Sequence, residues 1–149
     1  MIYATASVDT DQLGASYELW AEWTREDHDH NLDTAGWWRN AMVLAQSGAF
    51  MPIIAWDGLK PIGMVELYIN YDPAARKMFA HGDHAFVREE YRGERVFRVL
   101  YDAIEACARF MGADEFVAPV GLDGPGPFLK DFYERQGFES RGLIMRRAA

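Results

Sequence analysis

The stretch Phe86-Val87-Arg88-Glu89-Glu90-Tyr91-Arg92-Gly93 joins two segments that have different hydrophobic patterns. Residues 77–87 read as a strand, whereas residues 95–111 carry apolar side chains on one face and charged ones on the other. The second pattern predicts an amphipathic helix. Residues 115–120 then read as a short strand. A strand, a long helix and another strand predict a parallel crossover.

Upstream of this crossover, the sequence predicts one strand followed by two helices. Residues 2–6 read as the strand, and Asp9 is the expected N-cap of the first helix. Asp33 or Thr34 is expected to start the second helix. Gly48 follows its last apolar residue and predicts its end.

A three-stranded meander is predicted between these helices and the crossover. Residues 50–56 and 62–70 read as two strands, and Asp57-Gly58 between them is a hairpin signal because the turn needs positive φ. Residues 71–73 are expected to end the second strand. Residues 77–87 supply the third strand.

After the crossover, the chain reads as a loop, a helix and a last strand. Residues 121–127 are rich in glycine and proline, and residues 128–136 read as a short helix closed by Gly137. Residues 138–146 read as the final strand. The whole pattern predicts an α/β (α+β) domain over residues 1–149, with a mixed sheet of six to seven strands and about four helices on both faces.

Composition narrows the class of protein. The 149 residues are half apolar and carry a formal net charge of −8, which disfavours nucleic-acid binding. An acidic surface suits a cationic partner, and it also serves plain solubility. No membrane segment or signal peptide is expected, and the single cysteine, Cys107, is expected to be core filler in a cytoplasmic protein.

Two segments together resemble the GNAT superfamily of N-acetyltransferases. Residues 86–93, followed by the long helix, resemble the strand end and turn that receive coenzyme A in that family. Phe132-Tyr133-Glu134-Arg135-Gln136-Gly137-Phe138 resembles its C-terminal signature. The order of predicted elements agrees with the family over nearly the whole chain.

The resemblance implies an acetyl-CoA site at the start of the long helix. Backbone N–H groups at a helix N-terminus bind anions such as a pyrophosphate. The family pattern Arg/Gln-x-x-Gly-x-Gly/Ala is altered here, since Arg95 and Phe97 replace small residues. The loop either binds acetyl-CoA in an adjusted geometry, helped by the charge of Arg95, or is degenerate with Phe97 packed into the core. The expected cofactor-binding residues are Phe86, Val87, Arg92, Gly93, Glu94, Arg95, Val96, Phe97 and Arg98.

The resemblance also implies catalytic roles. Tyr133 is expected to protonate the departing thiolate, unless it only packs between its aromatic neighbours. Glu66 is the first candidate for the general base, and Asp83 and His84 are the next. The alternative without a catalytic role is that Glu66 is an outward-facing carboxylate. For His84, it is a surface or core histidine whose hydrogen bonds are satisfied within the protein. A backbone N–H near Val87 is expected to polarise the thioester carbonyl.

The acceptor pocket is expected near the first two helices. Trp37 and Trp38 either line it or pack in the core. His28 and His30 lie two residues apart in a polar loop without a distant partner cluster, so no metal site is predicted.

The function implied by the resemblance is transfer of an acetyl group from acetyl-CoA to a primary amine of a small molecule or protein. The altered cofactor loop keeps two alternatives open: a catalytically silent binding or assembly component, and a sensor that binds coenzyme A without turnover. Dimers are common among relatives, which leaves a homodimer open.

Overall fold

A computed structural model of the chain describes residues 1–27, 33–118 and 126–141. These residues divide into two compact units, Met1–Val117 and Ala118–Ala149. The prediction of a single domain over the whole chain stays a prediction. The elements are β1 (Ile2–Ala6), α1 (Thr10–Asp27), α2 (Thr34–Gln46), β2 (Phe50–Asp57), β3 (Lys60–Asp72), β4 (Lys77–Val87), a 3-10 turn (Glu89–Tyr91), α3 (Glu94–Phe110), β5 (Glu115–Val117) and α4 (Gly126–Arg135).

The sheet of the first unit has the strand order β1-β2-β3-β4-β5. Neighbouring strands from β1 to β4 are antiparallel, and β5 pairs with β4 in parallel. The predicted crossover through α3 and the mixed sheet are therefore confirmed. Five strands lie within the described residues, slightly fewer than the six to seven predicted.

The two faces of this sheet pack against different helices. Alternate strand residues such as Ile53, Val65 and Leu67 form a core with Val96 and Leu100 of α3. Ile54, Met64 and Phe86, on the other face, pack against Ala15 and Leu19 of α1. Helices on both faces, as predicted, follow from the two-residue period of the strands. Cys107 is buried in the α3 core, as expected.

The starts of the first two helices were correctly predicted from local capping residues. Asp9 Oδ1 accepts a hydrogen bond of 2.8 Å from the backbone N–H of Gln12. Asp33 Oδ1 accepts one of 2.8 Å from the N–H of Gly36, so Asp33 rather than Thr34 is the N-cap. Each cap satisfies a first-turn N–H that has no intrahelical acceptor.

The predicted break at residues 71–73 is wrong by two residues. Tyr71 and Asp72 still pair with Met78 and Lys77 of β4. The turn begins at Pro73, and Asp72 Oδ1 accepts a hydrogen bond of 2.8 Å from the N–H of Ala74 within it. The break lies later because an Asp side chain that organises a turn still leaves its own backbone able to pair.

The second unit corrects two predictions near the C-terminus. Residues 126 and 127, predicted as loop, belong to α4, since proline is tolerated in the first turn of a helix. Residues 138–141, predicted as the start of the last strand, have no regular structure. Phe138 instead donates its N–H to the Tyr133 carbonyl at 3.1 Å, and Gly137, with φ of 89°, donates to Glu134 at 3.0 Å.

These two hydrogen bonds form a Schellman cap at the end of α4. They engage the N–H groups of Gly137 and Phe138, so the N–H of Phe138 is not available to pair in the predicted last strand. Four predicted stretches lie outside the described residues: the rest of the last strand (142–146), most of the 121–127 loop, residues 119–120 of the short strand, and residues 28–31 of the polar loop that holds His28 and His30. In the described part of the chain, no helix is long and apolar enough to cross a bilayer.

Candidate active site

The pairing of β3 with β4 is irregular where three of the predicted catalytic residues lie. Met64 pairs with Phe86 and Glu66 pairs with Asp83, so two residues of β4 stand opposite one of β3. This is a β-bulge. His84, in the bulge, has φ of 48°, a left-handed conformation that is uncommon for a residue with a side chain. Its backbone N–H donates to Asp83 Oδ1 at 2.8 Å.

The bulge brings His84 against Glu66. His84 Nδ1 contacts Glu66 Oε2, and the same oxygen accepts a hydrogen bond of 2.7 Å from the hydroxyl of Tyr68. The Glu66 side chain is 3% exposed, whereas the His84 side chain is 33% exposed. The alternative of an outward-facing carboxylate is therefore wrong for Glu66.

Burial and charge act on this cluster in opposite directions. Burial lowers the pKa of His84, but the hydrogen bond and charge of Glu66, with the charge of Asp83, outweigh it and raise that pKa above its usual value. Burial, then the charge and hydrogen bond of Glu66, raise the pKa of the Tyr68 phenol, which stays protonated. Since Nδ1 is engaged by Glu66, Nε2 is the nitrogen through which His84 can exchange a proton with another group.

Glu66 and His84 line a cavity of about 400 Å³ in the first unit. Its aromatic lining consists of Trp20, Trp37, Phe50 and Tyr68. The polar lining is completed by Asp33 and Asn40, and the small or aliphatic lining is Gly36, Ala41 and Leu44. The structure thus places Trp37 at the cavity, while Trp38 is not among its lining residues.

A second cavity of about 290 Å³ shares Leu44 and Tyr68 with the first. Asp83 lines this second cavity, together with His81. The structure therefore brings Glu66 and His84 together in one cavity and leaves Asp83 facing the other, although Asp83 pairs with Glu66 across the strands.

Sequence reasoning missed Tyr68 and Trp20 as site residues. Tyr68 lies two residues after Glu66 on a strand, so the two-residue period places both side chains on one face of the sheet. That period was the available signal for Tyr68. Trp20 had no comparable signal, because its nearness to the sheet depends on the packing of α1.

The predicted cofactor loop leads into the N-terminus of α3. Gly93 is the N-cap, with φ of 151° and no capping side chain. Arg95 is exposed and Phe97 is 5% exposed. The Phe97 ring therefore packs in the core, as the degenerate-loop alternative expects, whereas Gly93, Glu94 and Arg95 are exposed.

The remaining predicted cofactor residues lie on both sides of Gly93. Arg92 donates from Nε to the Val87 carbonyl at 3.0 Å and pairs with Glu26 of α1. Arg98 pairs with Glu94 at 3.3 Å. Phe86 and Val96 are core residues. Among the described residues, β5 pairs with β4 from Phe79 to His81, and Val87 lies six residues beyond this pairing, at the end of β4.

Arg88 ties the end of β4 to α1. Its guanidinium donates from Nε to Glu22 Oε2 at 2.9 Å and from Nη1 to the Pro61 carbonyl at 2.7 Å, and it also pairs with Glu18. Its side chain is only 12% exposed. This clamp holds α1 close to the strand that carries His84, since charge-assisted bonds are the stronger class.

Tyr133 belongs to the second unit. Its ring lies 5.9 Å from that of Phe132 and 5.0 Å from that of Phe138, measured between centroids. Its role as the acid stays a prediction. His28 and His30 lie outside the described residues, and no group of three or more His, Cys, Asp or Glu within the described part could hold a metal.

Comparison with known proteins gives one family and many solved structures. Residues 14–138 match the Acetyltransferase (GNAT) family. No curated protein matches the chain significantly in sequence.

Three solved structures illustrate the likeness in fold. An aminoglycoside acetyltransferase from an uncultured soil metagenomic sample is 12% identical, covers 100% of this chain and 99% of its own, and has a TM-score of 0.82. A predicted acetyltransferase from Clostridium acetobutylicum, solved with acetyl-CoA, is 12% identical and has a TM-score of 0.79. The match covers 99% of this chain and 96% of that one. Glucosamine-6-phosphate N-acetyltransferase from Arabidopsis thaliana is 13% identical and has a TM-score of 0.76. The match covers 99% of this chain and 98% of that one.

Proposed function

Because this chain belongs to the GNAT acetyltransferase family, we propose that it transfers the acetyl group of acetyl-CoA to the nitrogen of a primary amine. The amine enters the cavity lined by Glu66 and His84. The observation that carries this proposal is the contact between these two side chains at the cavity wall. In such a pair, one side chain acts as the base and the other holds it in the orientation that the reaction needs.

His84 is the general base of the proposed reaction, and Glu66 is its positioning residue. The carboxylate is buried and already accepts from Tyr68, whereas a third of the imidazole is exposed. Glu66 therefore holds Nδ1, and Nε2 takes the proton of the incoming ammonium. A histidine whose pKa is raised is a stronger base than an isolated one, so it competes better for that proton.

The start of α3 fits the pyrophosphate of acetyl-CoA. The first-turn N–H groups of a helix lack intrahelical acceptors and lie at the positive end of the helix dipole. Here no side chain of Gly93 competes for them, and a Cβ built on Gly93 would have no atom within 4 Å. Exposed Arg95 adds a positive charge beside that position.

The proposed step conserves atoms and charge. The neutral amine nitrogen attacks the thioester carbonyl carbon, a C–N bond forms and the C–S bond breaks. One proton of the ammonium goes to His84 before the attack, and the attacking nitrogen gives up a second proton as the amide forms. The thiolate takes up one proton to leave as coenzyme A, so the net proton released is the one held by His84. From the family resemblance, Tyr133 is proposed as that acid, and Tyr133→Phe is expected to slow turnover. Holding both substrates side by side contributes most of the rate.

The variant His84→Asn tests the base. Asparagine tolerates the left-handed φ of the bulge, so the fold is expected to persist while kcat falls by about a hundredfold or more. His81→Asn is the matched control, because His81 lies on the same strand but outside the Glu66 cavity; its kcat is expected to stay within about threefold of wild type. Equal rates for His84→Asn and wild type would contradict the assignment.

The pH profile gives a second test of the same pair. Protonated His84 cannot accept a proton, so kcat/KM is expected to rise with pH through a pKa above the usual histidine value. Glu66→Gln removes the charge that raises this pKa, so the rise is expected at lower pH. An unchanged profile in Glu66→Gln would show that another group is the base.

Thermal unfolding with added acetyl-CoA separates the enzyme from a silent component. A ligand that binds only the folded state raises its free energy of unfolding by about 2.7 kcal/mol at a hundredfold excess over Kd. We expect a saturable rise in Tm. No rise at millimolar acetyl-CoA would favour the alternative in which the altered Arg95–Phe97 segment has lost the cosubstrate.

A further inference from the structure

The chemistry of the cavity wall restricts the acceptor. Beyond the Glu66 cluster, the wall is mainly indole, phenyl and aliphatic surface from Trp20, Trp37, Phe50 and Leu44. No Lys or Arg is among the lining residues that the structure describes. A phosphate-bearing amine would therefore lose its hydration without gaining a cationic partner.

Part of the hydrogen-bonding capacity of the wall is already used within the protein. Glu66 Oε2 accepts from Tyr68 and contacts His84. Asp33 Oδ1 accepts from the N–H of Gly36. A sugar amine presents many hydroxyl groups, and the indole, phenyl and aliphatic part of the wall offers them no partner.

Aromatic packing holds the two indoles at the wall in place. Trp20 and Trp37 have ring centroids 6.0 Å apart and an interplanar angle of 36°. Tyr17 packs behind Trp37 at 5.3 Å, and its hydroxyl is 2.6 Å from that of Thr34. The two indoles therefore form one apolar surface that is supported from behind by Tyr17.

We propose that the acceptor is a small arylalkylamine, a primary amine carried on a short chain from a flat aromatic body. The body packs on Trp20 and Trp37, and the ammonium lies beside Glu66 and His84. The acidic side chains of Glu66 and Asp33 both line this cavity, whereas no Lys or Arg is among the described lining residues, so the wall favours a cation. A volume of about 400 Å³ suits a molecule of this size. This inference rests on the proposed function.

The test compares phenethylamine with glucosamine, glucosamine 6-phosphate and spermidine in an acetyl-CoA-dependent assay. We expect the kcat/KM for phenethylamine to exceed each of the others by about tenfold or more. A preference for glucosamine, its phosphate or spermidine would overturn the inference while leaving acetyl transfer to amines intact.

Two tryptophan variants distinguish contact from packing. Trp37→Leu is expected to lower kcat/KM for phenethylamine by about tenfold, chiefly through KM. Trp56→Leu is the matched control, since Trp56 packs against the core of Ile54 and Met64 without lining the cavity, and its effect is expected to stay within about threefold. Equal losses in both variants would contradict direct contact with the acceptor.

Binding without turnover separates failure of this inference from failure of the proposed function. Phenethylamine is expected to change the indole fluorescence saturably in wild type and only weakly in Trp37→Leu. If that holds but no amine is acetylated, the acceptor class stands and the proposed reaction fails. If neither phenethylamine binding nor its turnover is found, the acceptor class is wrong.

Discussion

At the scale of single residues, the contact between His84 and Glu66 couples stability to pH. The pKa of His84 is raised in the folded protein, so its pairing contributes stability fully below the pKa of an unfolded histidine. That contribution is lost as pH rises through the folded value. Glu66→Gln is therefore expected to cost about 1–2 kcal/mol near pH 5.5 and clearly less near pH 9. Urea unfolding at both pH values measures the difference.

Tyr68→Phe is the control for this prediction. It removes a hydrogen bond from an uncharged donor to the same carboxylate oxygen, and the Tyr68 phenol stays protonated at both pH values. Its cost is expected to be about 1 kcal/mol at either pH. If Glu66→Gln were equally costly at both pH values, His84 would not be charged in the pair.

At the scale of elements, the start of α3 depends on the backbone of Gly93. Its φ of 151° lies in a region that is essentially restricted to glycine. Gly93→Ala is expected to cost about 1–3 kcal/mol of stability and to weaken acetyl-CoA binding, because relief of the strain moves the first-turn N–H groups. Chemical unfolding and the acetyl-CoA concentration dependence of Tm measure both effects.

Gly14→Ala is the matched glycine substitution. Gly14 lies within α1, and an added Cβ would have no atom within 4 Å. Alanine is the better helix former there, so stability is expected to rise by up to about 1 kcal/mol, with acetyl-CoA affinity unchanged. A Gly93→Ala variant that kept its full affinity for acetyl-CoA would remove α3 from the proposed cosubstrate site.

At the scale of the whole molecule, the net charge of −8 acts oppositely on the two proposed substrates. The acidic protein attracts a cationic amine, and salt screens that attraction over a Debye length of about 10 Å at 0.1 M. The KM for phenethylamine is expected to rise about two- to fivefold between about 0.05 and 0.5 M NaCl, with kcat little changed. Steady-state kinetics at fixed, saturating acetyl-CoA measures this effect.

The control repeats the NaCl series with acetyl-CoA as the varied substrate and measures its KM. Acetyl-CoA is an anion that the overall charge repels, so its KM is not expected to rise by screening of the net charge. A KM for phenethylamine that stayed flat or fell with salt would show that the acidic surface serves solubility alone.

Most of the elements within the described residues, their order and the resemblance to the family could be predicted from the sequence. Asp9, Asp33 and Gly48 act on neighbouring backbone, and the amphipathic pattern of α3 repeats within a few residues. Such signals are local, so they can be read without the fold. The crossover followed from the order of the elements and was confirmed by the parallel pairing of β4 with β5.

The arrangement of the site, by contrast, depends on contacts between distant parts of the chain. The alternation along β3 does not say which face is buried, so the burial of Glu66 depended on the packing of α1 and α2 against that face. The contact with His84 depended on a bulge, which exists only once β3 and β4 are paired. The bulge and the contact join residues 18 positions apart in the chain. Pairing over that distance leaves no signal in the sequence of either strand alone.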